Sequence, residues 1–139
     1  MKAYTSLEQS KKLAEILPLE SADMFIADVF LKEEQTHSYN FHVLTTWGHK
    51  NFNELKEREN KFVQFIPCWS LAALLNYLRE IDFFPSIEAD EHGVTMNVCY
   101  YDDEEGKLLN PVHDIITEAD NFVDACVDMI LKLHEQKIL

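Results

Sequence analysis

Residues 67–75 read PCWSLAALL, and within this stretch the pattern changes from that of an extended chain to that of a helix. The residue before a proline avoids the α conformation, so residues 62–67 are predicted to approach the stretch in extended form. Four leucines then share one helix face, with Ser70 placed as the N-cap. They lie at i, i+3, i+4 and i+7: Leu71, Leu74, Leu75 and Leu78. The stretch therefore predicts a helix that runs to about Ile81.

The same stretch places a thiol, an indole and a hydroxyl side by side at Cys68, Trp69 and Ser70. Neither the G-x-S-x-G elbow nor a glycine-rich cysteine-protease signature surrounds them, and no histidine has a defined spacing to them. Trp69 is placed to pack back on the first helical turn, as the apolar half of a hydrophobic staple does. We therefore interpret these three residues as the start of a helix and not as the site of a catalytic nucleophile.

The first half of the chain predicts a helix followed by a β-hairpin. Thr5 and Glu8 match the capping-box pattern, and Pro18 ends the helix near Leu17. Residues 21–31 contain a short apolar run with β-branched and aromatic members, which indicates a mostly buried strand. From Tyr39 to Trp47 the pattern alternates, with Tyr39 and Trp47 on one face and His42 on the other. The polar residues 32–38 predict the connecting loop of an antiparallel pair.

The second half predicts a second hairpin and a long final helix. Residues 83–89 and 94–101 flank a polar loop that contains Gly93, and residues 118–136 carry a broad apolar face. Residues 48–61 are predicted to be a loop with a possible helical turn. The expected fold is α+β: one two-layer domain over residues 1–139, with a mainly antiparallel sheet of about four or five strands and three helices in the order α-β-β-α-β-β-α.

Charge and composition restrict the classes of function. The net charge of −13 should repel phosphate backbones, so direct nucleic-acid binding is not expected. No apolar run reaches the roughly 20 residues of a membrane span, and the first residues lack a secretory h-region. Three widely spaced cysteines suit reduced thiols better than a disulfide framework. These features predict a cytoplasmic protein that binds no membrane.

Acidic residues are concentrated between residues 101 and 128, which hold nine acids and one lysine. The run Asp102, Asp103, Glu104 and Glu105 lacks the ligand spacing of a calcium loop. It is interpreted as a solvated turn, with two functional alternatives: a surface that attracts a basic partner, or a phosphate mimic that occupies a nucleic-acid-binding groove.

Polar and aromatic residues on the predicted strands form a candidate pocket or contact surface at His42, Trp47, Cys99 and Tyr101. Aromatic side chains supply large contact areas at interfaces, although in strands they more often belong to the core. His37, His42 and His49 do not have a zinc-site spacing. The sequence predicts no catalytic residue, no metal ligand and no cofactor site.

Three segments, TSLEQSKKLAEILPLESADM, PCWSLAALLNYL and NFVDACVDMILKLHE, occur in this order along the chain. In these segments, about half of the sequence, the chain resembles a family of small uncharacterised proteins of Bacteroidetes-type bacteria, often associated with prophage or conjugative elements. The resemblance implies accessory gene content of mobile DNA and an intracellular protein. It supplies no catalytic residue.

These observations favour a non-catalytic accessory or regulatory protein that acts through protein–protein contacts, with an unknown protein partner or as a homo-oligomer. The alternative is a small ligand-binding domain or enzyme with a site on the sheet face near His42, Trp47 and Cys99. Such a site leaves no motif when its residues are far apart in sequence.

Overall fold

A computed structural model describes residues 2–101, 108–109 and 117–139, and the chain divides into two compact units. The N-terminal unit comprises Tyr4–Ser70. The C-terminal unit comprises Met1–Ala3 and Leu71–Leu139.

The N-terminal unit contains one antiparallel sheet of three strands in the order β2-β1-β3. Its elements along the chain are α1 (Leu7–Ala14), β1 (Met24–Leu31), β2 (Thr36–Val43), α2 (Phe52–Lys56) and β3 (Val63–Cys68), with 3₁₀ turns at Leu19–Ser21 and Leu44–Trp47. The predicted antiparallel hairpin is confirmed, with Ile26 opposite Phe41 in the register. Its connecting loop is shorter than predicted, because β2 already begins at Thr36.

Helix α1 begins one residue later than its predicted capping box. Ser6, and not Thr5, is the N-cap: its hydroxyl accepts from the Gln9 backbone N–H at 3.2 Å, and the Gln9 side chain accepts from the Ser6 N–H at 3.0 Å. Thr5 is instead fully buried. The sequence Thr-Ser-Leu-Glu-Gln allows both registers, and the burial of Thr5 selects the second.

The N-terminal sheet is covered on both faces. On the face that we call the α2 face, strand residues Phe25, Ala27 and Phe65 pack with Phe52 and Leu55 of α2. On the opposite face, the α1 face, buried Met24, Ile26 and Cys68 pack with Leu7 of α1 and with strand neighbours. Because side chains alternate along a strand, each face takes every second residue of β1.

Two features of this sheet differ from prediction. The second strand ends at Val43 and not at Trp47, because the chain turns into a 3₁₀ helix that ends at Gly48 with a φ of 78°. Residues 63–68 are not only an extended approach to the next helix. They form β3, which pairs with β1 from Val29 opposite Val63 to Met24 opposite Cys68.

The C-terminal unit contains α3 (Leu71–Glu80), β4 (Phe83–Asp90), β5 (Gly93–Tyr101), β6 (Leu108–Leu109), β7 (Thr117–Ala119) and α4 (Phe122–Glu135). The predicted hairpin is confirmed as β4 paired with β5. Strand β4 occupies one edge of β5 along its length, so β6 and β7 share the other edge, at its end and its start respectively. The sheet is therefore three strands wide, and its third position is filled by two short strands, β6 and β7.

Both long helices of this unit lie on the same face of its sheet. Helix α3 packs against β4, α4 packs against β5 and β7, and the two helices contact each other. The predicted alternation of β5 is confirmed, since Val94, Met96 and Val98 are buried while the residues between them are partly exposed. Asn121 caps α4 by accepting from the Asp124 N–H at 2.9 Å.

The α+β class is confirmed, but the expected single sheet of four or five strands with three helices is wrong. The described residues form two antiparallel sheets, of three and four strands, and four α-helices. The strands that were not predicted are short: β3 has six residues, β7 three and β6 two. Helix α2, with five residues, lies in the segment 48–61 where a helical turn was predicted. In the part of the chain that the structure describes, no helix is long and apolar enough to cross a membrane.

Candidate interaction surface

Strand β2 is an edge strand that contains no Asp, Glu, Lys or Arg. Among the described residues it hydrogen-bonds only to β1, so its other edge lies open. Residues 36–49, THSYNFHVLTTWGH, contain no Asp, Glu, Lys or Arg in a chain whose net charge is −13. None of the eight residues of β2 is buried. An open strand edge binds other strands readily unless charges, prolines or bulges protect it.

The other long edge strands, β3 and β4, carry such protection, and the edge strands β6 and β7 are only two and three residues long. β3, at the far edge of the N-terminal sheet, contains Pro67, and β4 in the C-terminal unit contains Pro85, Glu88 and Asp90. β2 contains no proline and no Asp, Glu, Lys or Arg, and its register with β1 runs without a bulge from Thr36 to Val43. β2 is therefore the least protected strand edge in the described chain.

Backbone hydrogen bonds show which residues of β2 face the open edge. The Leu44 N–H donates to the Asp23 carbonyl at 3.1 Å, and the Phe30 N–H donates to the Phe62 carbonyl at 2.8 Å. In an antiparallel ladder such pairs recur at every second residue. Odd-numbered residues of β1 therefore bond to the even-numbered residues of β2.

The odd-numbered residues of β2 consequently direct four N–H and four C=O groups to the open edge. These residues are His37, Tyr39, Phe41 and Val43. The edge thus presents a complete ladder of backbone donors and acceptors.

Exposed apolar side chains flank this edge on both faces of the sheet. On the α1 face, Tyr39 and Val43 are 40% and 55% exposed, and Tyr4 packs on Phe41 with ring centroids 5.1 Å apart. On the α2 face, Trp47 is 44% exposed. A strand added to the edge would find apolar surface for both of its alternating rows of side chains.

His42 and Trp47, both predicted site residues, belong to one aromatic cluster on the α2 face. Their ring centroids lie 5.2 Å apart, and each lies 5.2 Å from the ring of Phe25. Phe65 completes the cluster at 5.6 Å from Trp47. The rings contact one another, so they form a packed surface whose exposed member is Trp47.

The cluster depends on the early end of β2. On a continuous strand, His42 and Trp47 would lie on opposite faces, as the alternation predicted. The 3₁₀ helix at Leu44–Trp47 shortens the path and returns the indole to the face of His42. Gly48, which permits the φ of 78° at the end of this turn, is the sequence signal that indicates it.

His37 lies on the α1 face, opposite the face of His42. Its Nδ1 lies 2.6 Å from an Asp28 carboxylate oxygen, and its ring stacks on Tyr39 with centroids 5.9 Å apart. His37 and His42 therefore cannot share a metal ion. Within the described residues, no group of three or more His, Cys, Asp or Glu side chains could hold one.

The Cys68, Trp69 and Ser70 stretch is a packing and hydrogen-bonding centre. Cys68 and Trp69 are fully buried, and burial raises the pKa of the Cys68 thiol, which keeps it protonated and weakly nucleophilic. The Trp69 indole N–H donates to the Ser21 hydroxyl at 2.9 Å, and the Ser70 hydroxyl donates to the Asp23 carboxylate.

The other predicted site residues are distributed differently. Cys99 and Tyr101 lie on β5 of the C-terminal unit, whereas His42 and Trp47 belong to the N-terminal unit. Neither unit alone contains the three-residue site predicted near His42, Trp47 and Cys99. Asp102, Asp103, Glu104 and Glu105, with the predicted bend at Asn110 and Pro111, lie outside the described residues.

The C-terminal unit has a shallow groove of its own that the sequence did not indicate. It has a volume of about 400 Å³ and lies between α3 and β4, lined by Leu75, Asn76, Arg79, Phe84, Pro85 and Ile87. Most of its lining is apolar. Such a groove contains no nucleophile or acid–base pair.

Comparisons with known proteins do not identify a family for this chain. No protein-family model matches the chain, and no curated protein or solved structure matches it either.

Proposed function

We propose that this protein is a non-catalytic accessory or regulatory protein that acts through protein–protein contacts, and that the open edge of β2 is its contact surface. The observation that carries this proposal is the uncharged, unprotected edge of an otherwise highly acidic chain. Strand addition to such an edge provides affinity through backbone bonds and specificity through alternate side chains.

The surroundings of the edge support this role. Tyr39, Val43 and Trp47 expose aromatic and aliphatic surface beside the backbone ladder, and aromatic residues are enriched where interfaces gain most of their binding energy. The resemblance to proteins of prophage and conjugative elements supports an accessory role in the cytoplasm.

Site-specific photo-crosslinking in a lysate of the native host tests the proposal. A benzophenone amino acid is placed at Tyr39 on the edge or, as a control, at Glu33 in the exposed hairpin turn. We expect protein adducts from position 39 and none from position 33. Equal adducts from both positions, or none from position 39, would contradict the proposal.

A matched pair of variants at Val43 links any adduct to the strand edge. Val43 has a φ of −74°, which proline adopts without strain, and its N–H faces the open edge. Val43→Pro removes this donor and leaves the ladder with β1 intact, whereas Val43→Thr keeps it. Adducts at position 39 should be lost with Val43→Pro and retained with Val43→Thr.

A small-molecule site at His42 and Trp47, within the N-terminal unit, is the alternative proposal. The closeness of His42 and Trp47 favours it, since an indole and an imidazole together can bind a planar ligand. Quenching of Trp47 fluorescence by a saturable ligand, abolished by His42→Ala, would support this alternative. Without such a ligand the strand-edge proposal stands alone.

A further inference from the structure

We infer that the occupant of the β2 edge is a second copy of this chain, paired antiparallel about a two-fold axis that passes beside Asn40. This inference rests on the proposed function, because it assigns a partner to the same edge. It predicts one continuous sheet of six strands, in the order β3-β1-β2 followed by the partner's β2-β1-β3.

The pattern of outward-facing groups is symmetric about Asn40. When residue 39 of one copy lies opposite residue 41 of the other, residue 37 lies opposite residue 43. Every outward-facing residue, His37, Tyr39, Phe41 and Val43, then meets an outward-facing partner. All eight backbone groups on each edge form hydrogen bonds in this register.

The side chains are compatible with the same register. Tyr39 of each copy lies opposite the partner's Phe41, so the two-fold axis produces two such pairs. Cross-strand aromatic pairs of this kind stabilise antiparallel sheets. Asn40 lies opposite the partner's Asn40, where two amides can bond to each other. No two carboxylates or lysine and arginine side chains meet, because residues 36–49 contain no Asp, Glu, Lys or Arg.

Charge also restricts where two copies can approach each other. A net charge of −13 on each chain repels a second chain, and this repulsion is weakest beside a segment without carboxylates. Salt screens the repulsion, so self-association should strengthen as ionic strength rises. Binding of a basic partner would instead weaken, which separates the two types of occupant.

Disulfide trapping tests the register. Asn40 in this arrangement is a non-hydrogen-bonded pair with its symmetry mate, with Cα atoms about 4.5 Å apart, within the range that a disulfide bridges. Asn40→Cys, in a Cys99→Ser background, should oxidise rapidly to a covalent dimer. Thr36→Cys in the same background is the control, because Thr36, like Asn40, is exposed but lies roughly 26 Å from its symmetry mate.

The inference is overturned if both cysteine variants dimerise at the same rate, or if neither does. A second measurement uses the native chain: sedimentation at about 100 µM should show a dimer fraction that rises with salt and that Val43→Pro removes but Val43→Thr does not. A monomer at every salt concentration would also overturn it. If photo-crosslinking at Tyr39 then captured only other proteins, the strand-edge function would stand and only the second copy would be rejected.

Discussion

Thr5 and Trp69, 64 residues apart, exchange two hydrogen bonds in the interior of the N-terminal unit. The Thr5 N–H donates to the Trp69 carbonyl at 2.9 Å, and the Trp69 N–H donates to the Thr5 hydroxyl at 3.2 Å. Both residues are fully buried. The pair therefore joins the residue before the α1 cap to the residue after β3 in a place that water does not reach.

Replacement of Thr5 should destabilise the N-terminal unit through this pair. Thr5→Val removes the acceptor of the buried Trp69 N–H and the partner of the Ser10 hydroxyl, at 2.7 Å, with little change in volume. We expect a loss of about 1–3 kcal/mol in the free energy of unfolding, measured with urea. Thr5→Ser, which keeps the hydroxyl, should lose clearly less. Equal losses would show that the methyl group contributes as much as the hydrogen bonds, which would contradict this account.

The capping register of α1 predicts unequal effects for two neighbouring residues. Ser6→Ala removes the side-chain acceptor of the Gln9 N–H and should cost about 1 kcal/mol. Glu8→Ala affects an exposed residue that is not part of the box and should change the stability by less than about 0.5 kcal/mol. Urea unfolding of both variants checks this order. A larger effect at Glu8 would indicate that Thr5, and not Ser6, is the N-cap of α1.

Gly93 should tolerate a side chain less well than Gly48. Both have a positive φ, but a Cβ at Gly93 would lie 2.6 Å from the Ala119 carbonyl oxygen, whereas nothing lies within 4 Å of one at Gly48. Gly48→Ala should therefore cost only the backbone strain, about 1–2 kcal/mol. Gly93→Ala should cost more, because β7 must move away from β5. Thermal unfolding of the two variants measures the difference, and equal costs would contradict the steric account.

The alkaline stability of the C-terminal unit should depend on Cys126. Burial raises the pKa of this thiol from 9.0 to about 12, so the folded chain keeps the proton that the unfolded chain loses. The resulting stability is complete below about pH 9 and is lost as the pH rises toward 12. In this window each pH unit should remove about 1.4 kcal/mol.

Cys126→Ala separates this effect from the titration of other groups. Above about pH 9 the urea midpoint of the native chain should fall more steeply with pH than that of the variant. The variant should be less stable near neutral pH, by about 1 kcal/mol, because it loses a buried sulfur atom. Parallel pH curves would show that Cys126 does not ionise on unfolding in this range.

Local sequence determined the long elements of this fold. Residues 71–80 and 122–135 are helical where leucine and valine spacing placed an apolar stripe, and the hairpins at β1-β2 and β4-β5 follow from strands that flank polar turns. These signals are local because a helix face or an alternating strand is defined by residues within a few positions of each other.

Only the tertiary structure decided how the strands are divided and where the candidate surface lies. Residues 63–68 become a strand because β1 offers them a partner, and Thr5 leaves the capping position because its hydroxyl has partners that lie far away in sequence. The open edge of β2 likewise follows from sheet order, since an uncharged strand is exposed only when no neighbour pairs with it. Periodicity shows which side chains share a face, but hydrogen bonds between distant segments determine which strand edge remains open.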